Sequence, residues 1–123
     1  MGKRKNILLV DDSKVQQKIL KSLLEKEGYT LFISENVSGG LRIIGTEDIG
    51  LVLIDFYLAG INDGTALVNK IRKYGVDIPV YAISASEENS RELLAAGCDG
   101  VLSKDPQEIK KFILSLDGST SLN

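Results

Sequence analysis

The chain has 123 residues, 43% hydrophobic and 26% charged, a composition that builds one packed domain and is too short for two. A net charge of −2 gives no basic field for nucleic acid or a membrane surface, so no direct binding to either is expected. With no histidine, Ser-His-Asp and Cys-His catalysis and histidine-ligated zinc are excluded, and the single cysteine, Cys98, fits a reducing cytoplasm.

The basic start, Met1 to Asn6, precedes an apolar run of only Ile7 to Val10, too short for a secretory signal or a membrane span. Asn6 breaks the myristoylation pattern that Gly2 opens. The unbroken run Ile7-Leu8-Leu9-Val10 reads as a strand covered on both faces. Ser13 and Gln16 form a capping box, and Val15, Ile19, Leu20, Leu23 and Leu24 follow at helical spacing until Gly28. Tyr29 to Ile33 predicts a second strand. Val37, Leu41 and Ile44 predict a short helix weakened by Gly39-Gly40, with Ser38-Gly39-Gly40 read as a loop rather than a phosphate cradle.

Leu51-Val52-Leu53-Ile54 is the next buried strand and ends at Asp55. A loop leads to Gly64, with Asp63 as a helix cap, and Leu67, Val68 and Ile71 mark a third helix that Gly75 ends. Ile78 to Ile83 predicts the fourth strand, Leu93 and Leu94 the fourth helix, closed by Gly97, and Val101-Leu102 a short fifth strand. Cys98 reads as a filler in the turn between Gly97 and Gly100. Asp105-Pro106-Gln107-Glu108 opens the last helix with a cap, a first-position proline and an acidic third position, and Ile109, Phe112, Ile113 and Leu116 give it an apolar face. Residues 1–117 are read as one domain and 118–123 as a disordered tail.

Five successive βα units predict an α/β fold, a doubly wound, five-stranded parallel sheet with helices on both faces. The strands richest in apolar residues, the first, third and fourth, take the centre, which gives the flavodoxin-like order 2-1-3-4-5.

In such a sheet ligands sit beyond the carboxyl ends of the strands. Those ends carry Asp11-Asp12, Asp55, Ser84 and Ser103-Lys104. Asp55 lies between apolar neighbours, so its carboxylate loses hydration and needs a partner, and no helix starts close enough for it to cap. Asp11 and Asp12 could each cap the first helix, but Ser13 competes for that role. Three converging carboxylates repel unless a cation neutralises them, and oxygen donors without His or Cys select Mg2+ or a similar ion. Ser84 and Ser86 are also candidates to cap the fourth helix, and a lone Lys104 would ordinarily be a solvated surface lysine.

Taken together, Asp11, Asp12, Asp55, Ser84 and Lys104 resemble the receiver domain of two-component response regulators, across nearly the whole chain. The resemblance implies Mg2+ binding by the acidic pair and by the backbone carbonyl of Tyr57, and phosphorylation of Asp55 by a sensor histidine kinase, a phosphotransfer protein or a small phosphodonor. It further implies that Ser84 and Lys104 contact the phosphoryl oxygens, that water later removes the group, and that the face of the fourth helix, fifth strand and fifth helix carries the output, homodimerisation included. By this reading the domain is a cytoplasmic switch and not a turnover enzyme.

Three departures stand out. Ala59 occupies a usual proline position in a loop one residue longer than usual, Val101 stands where the family has a mobile aromatic, and Lys104 is followed by Asp105 before Pro106. The competing readings are a receiver that only docks and a phosphatase of the haloacid dehalogenase type. Tyr57, where that phosphatase class has a second aspartate, argues against the latter, and the acidic cleft argues against a flavin carrier.

Overall fold

The computed structural model describes residues 5–55, 63–74, 76–84 and 90–116. The expectations for Tyr57, Ala59, Gly75, Ser86, the side chain of Asp63 and residues 118–123 lie outside these described residues. Strands β1 (Asn6–Val10), β2 (Thr30–Ser34), β3 (Leu51–Asp55), β4 (Val80–Ile83) and β5 (Gly100–Leu102) alternate with helices α1 (Lys14–Glu25), α2 (Val37–Thr46), α3 (Asp63–Lys73), α4 (Ser90–Ala96) and α5 (Pro106–Leu116). All pairings are parallel, in the order β2-β1-β3-β4-β5.

The apolar runs land where their composition requires. Ile7 to Val10 and Val52 to Ile54 are fully buried because both faces of the central strands are covered. Alternate residues feed two cores. Leu8, Val10, Val52 and Ile54 pack with Leu67, Val68 and Ile71 of α3 and Leu93 of α4, whereas Ile7, Leu9 and Leu53 pack with Leu20 and Leu24 of α1 and Ile109 and Ile113 of α5. Each such side chain contributes about 1.5–3 kcal/mol on burial, which holds the strand ends in fixed register.

Several sequence expectations are corrected. Val15, Ile19, Leu94 and Leu116 are 68, 41, 50 and 45% exposed, because their helices turn other residues inward. On α1 the buried positions are Gln17, Leu20 and Leu24. Ser38-Gly39-Gly40 lies within α2 and is not a loop. A Cβ on Gly39 would stand 2.4 Å from Ser34 Oγ, and one on Gly40 3.2 Å from Val10 Cγ2, so the glycines let α2 approach the sheet closely. β4 starts at Val80, two residues later than expected, since Arg72 captures the Ile78 carbonyl at 2.9 Å and Pro79 has no N–H to donate. β2 is shifted by one residue, to Thr30–Ser34.

Candidate functional site

The site is assembled by register. Val10 pairs with Ile54, so Asp11, one residue past β1, lies beside Asp55, the last residue of β3; Asp55 pairs with Ile83, which places Ser84 one step beyond β4. Ile83 pairs with Leu102, so Lys104 follows two residues later on the outer neighbour. Asp11, Asp55, Ser84 and Lys104, scattered over the chain, thus meet at the carboxyl ends of the strands, and Asp12 follows Asp11.

Asp11 is held at its N–H, its carbonyl and one carboxylate oxygen. Its N–H donates to the Ser34 carbonyl at 2.9 Å, its Oδ1 accepts the Ser13 N–H at 2.8 Å, and its carbonyl accepts Gln17 Nε2 at 2.8 Å. The capping box forms only in half. Ser13 Oγ accepts the Gln16 N–H at 3.2 Å, but the reciprocal bond is replaced by Asp11, and the Gln16 side chain reaches the Lys104 carbonyl at 3.5 Å. At the other end of the site, Asp105 caps α5 as expected, accepting the Gln107 N–H at 3.0 Å.

Asp55 is 5% exposed and Ser84 8%, and the Ser84 N–H bonds the Leu102 carbonyl at 3.0 Å. Lys104 Nζ lies 3.5 Å from Asp55 Oδ1, so an ammonium faces the buried carboxylate from the solvent side. Asp11, Asp12 and Asp55 each present a carboxylate oxygen, and these oxygens lie within 4.8 Å of one another.

The electrostatics follow from that crowding. Burial pushes the Asp11 carboxyl up to about 6; the Ser13 N–H pulls it down, Asp55 pushes it up, Lys104 pulls it down and Asp12 adds a smaller push upward. The rise comes mainly from lost hydration, with the neighbouring carboxylates adding to it. The donor set is made of hard oxygens from two strand ends, close enough to share one ion, and it fits a divalent cation of the Mg2+ kind.

An apolar hollow of about 220 Å3 opens at the opposite end of the sheet, and among the described residues it is lined by Tyr29, Leu51, Pro79, Tyr81, Ile113 and Leu116. Cys98 is buried in the α3–α4 side of the core, and burial pushes its thiol up to about 11, as for an inert filler. Sequence reasoning passed over Gln17 and Arg72. No local signal marked either: the partners of Gln17, the Asp11 carbonyl and Glu35, lie outside its helix, and those of Arg72 are backbone carbonyls and Asp99.

The fold and this acidic edge define a doubly wound α/β domain with a candidate cation site, and comparison with known proteins identifies the family. Residues 7–114 match the response regulator receiver domain, and the chain belongs to that family. It is 32% identical over 101 residues to the KDP operon transcriptional regulatory protein KdpE of Escherichia coli, covering 80% of this chain and 44% of that protein. It is 30% identical over 100 residues to the sensor histidine kinase RcsC of the same organism, covering 80% of this chain and 10% of RcsC. The receiver domain of Francisella response regulator 1452 superposes with a TM-score of 0.82 at 28% identity, over 94% of this chain and 98% of that one. The chain therefore spans less than half the length of these two full-length relatives. It is a receiver domain of two-component signalling, a switch family rather than a family of turnover enzymes. Among the described residues no helix is long and apolar enough to cross a membrane.

Proposed function

We propose that this domain is a Mg2+-dependent phosphoacceptor whose acceptor is Asp55. The observation that carries the reading is the buried Asp55 carboxylate, which shares an edge with Asp11 and Asp12 and faces the Lys104 ammonium at 3.5 Å. An Asp55 carboxylate oxygen attacks the phosphorus of a phosphohistidine or a small acyl phosphate; the new P–O bond forms as the bond to the donor breaks, and the leaving group departs in line. Lys104 donates to a phosphoryl oxygen, and the Ser84 hydroxyl donates to another. When bound by Asp11, Asp12, Asp55 and the Tyr57 carbonyl, Mg2+ supplies positive charge that offsets the charge gathered on the phosphoryl group. Water later cleaves the acyl phosphate, returning the carboxylate and inorganic phosphate.

The donor is a sensor histidine kinase or a phosphotransfer protein, and the setting is cytoplasmic. Drawing Ser84 toward the phosphoryl group shifts the α4–β5–α5 face, which carries the output and offers a surface for a homodimer.

Incubation with acetyl phosphate and Mg2+, read by intact mass, tests this. One phosphoryl group is expected on the parent protein and none on Asp55→Asn or in the presence of excess chelator. No gain on the parent, even with a histidine kinase supplied, would leave docking without phosphorylation as the function.

A further inference from the structure

We infer that Gln17 is a positioning residue that sets the acidic edge for its cation. The inference rests on the Mg2+ reading above. Gln17 is 9% exposed and occupies an inward position of α1 that hydrophobic residues take one and two turns later, at Leu20 and Leu24. Burying an amide there is unfavourable unless its N–H groups are used. Both of its described acceptors identify Nε2 as the donor: the Asp11 carbonyl at 2.8 Å and Glu35 Oε2 at 3.3 Å.

The first bond fixes the peptide plane that follows Asp11, and so the direction in which the chain delivers Asp12. The same residue's carboxylate is fixed by the Ser13 N–H and its N–H by the Ser34 carbonyl. Gln17 thus completes a three-point clamp on a residue whose carboxylate belongs to the cluster. The second bond ties this clamp to the turn after β2. Glu35 pairs there with Lys14, and its carboxyl is held below its ordinary value first by Lys14 and then by Gln17. One amide therefore links β1, α1 and the β2–α2 turn directly behind the acidic edge. An apolar residue of the same length fills the same space without holding the loop.

Such supporting bonds typically change metal affinity about tenfold to a hundredfold. The test compares the parent protein with Gln17→Met, which keeps length and removes the donors. Mg2+ is titrated calorimetrically into each protein, and metal-free thermal midpoints are measured alongside. The Met variant is expected to bind Mg2+ about tenfold more weakly.

Equal Mg2+ affinity in parent and Met variant, whatever the midpoints, overturns the inference and leaves the Mg2+ reading intact. A parent that binds no Mg2+ overturns both. Should the Met variant not fold, the unaltered protein still decides. Its Gln17 side-chain amide protons should be slow to exchange and should shift on Mg2+ addition; fast-exchanging protons that ignore Mg2+ refute the role.

Discussion

Replacing Asp11 with asparagine is expected to stabilise the metal-free domain at neutral pH. Asp11 is 2% exposed, and its carboxyl is raised from 3.8 to about 6, first by burial and with an upward push from Asp55. The folded domain therefore holds a proton that the unfolded chain has already released between those values. Stability from this group is complete below pH 3.8 and is lost as pH rises toward about 6. A rise from 3.8 to about 6 means that ionised Asp11 costs the metal-free fold up to about 3 kcal/mol at neutral pH. Asparagine carries no charge at any of these pH values and keeps the oxygen that accepts the Ser13 N–H. After relaxation around the site a gain of about 1–2 kcal/mol is expected, raising the midpoint by about 5 °C or more. The assay is thermal unfolding with excess chelator, near pH 7.5 and again near pH 4.5. The gain should appear at the higher pH, shrink at the lower, and be offset by Mg2+, which stabilises the parent alone. An asparagine variant less stable than the parent near pH 7.5, or equally favoured at both pH values, would refute the reasoning.

Two further expectations concern the scaffold. Arg72 donates to the carbonyls of Gly97, Val76 and Ile78 at 3.0, 3.0 and 2.9 Å and to Asp99 at 2.9 Å, so Arg72→Met should cost about 2–4 kcal/mol by urea unfolding; a loss under about 1 kcal/mol would deny it that role. Gly97 sits at φ +115°, and a Cβ there would meet Arg72 Cγ at 2.8 Å, so Gly97→Ala should cost about 1–3 kcal/mol, and a neutral result would contradict the geometry.

The sheet and its polar edge were legible because both rest on local patterns. Runs such as Ile7 to Val10 and Leu51 to Ile54 announce strands covered on both faces, and the residues that end them must then share an edge. The inward faces of the helices were less legible. Val15, Ile19, Leu20, Leu23 and Leu24 fit a stripe wider than the core beneath α1, and nothing local says that Gln17 turns inward while Val15 is left outside. That choice is made by the Asp11 carbonyl and by Glu35, groups from other elements that periodicity cannot see. The start of β4 failed for the same kind of reason, since Arg72 takes the Ile78 carbonyl from another element. Gly39 and Gly40 misled in the opposite direction. Their low helix propensity is overridden by the close approach of α2 to Ser34 and Val10.

The most direct measurement is a crystal structure of the domain grown with Mg2+ and beryllofluoride, a mimic of the phosphoryl group. The account calls for one cation touching the Asp11, Asp12 and Asp55 carboxylates, and beryllofluoride attached to Asp55 within reach of Ser84 and Lys104. Beryllofluoride on another residue, or a cation that leaves these carboxylates apart, would contradict it.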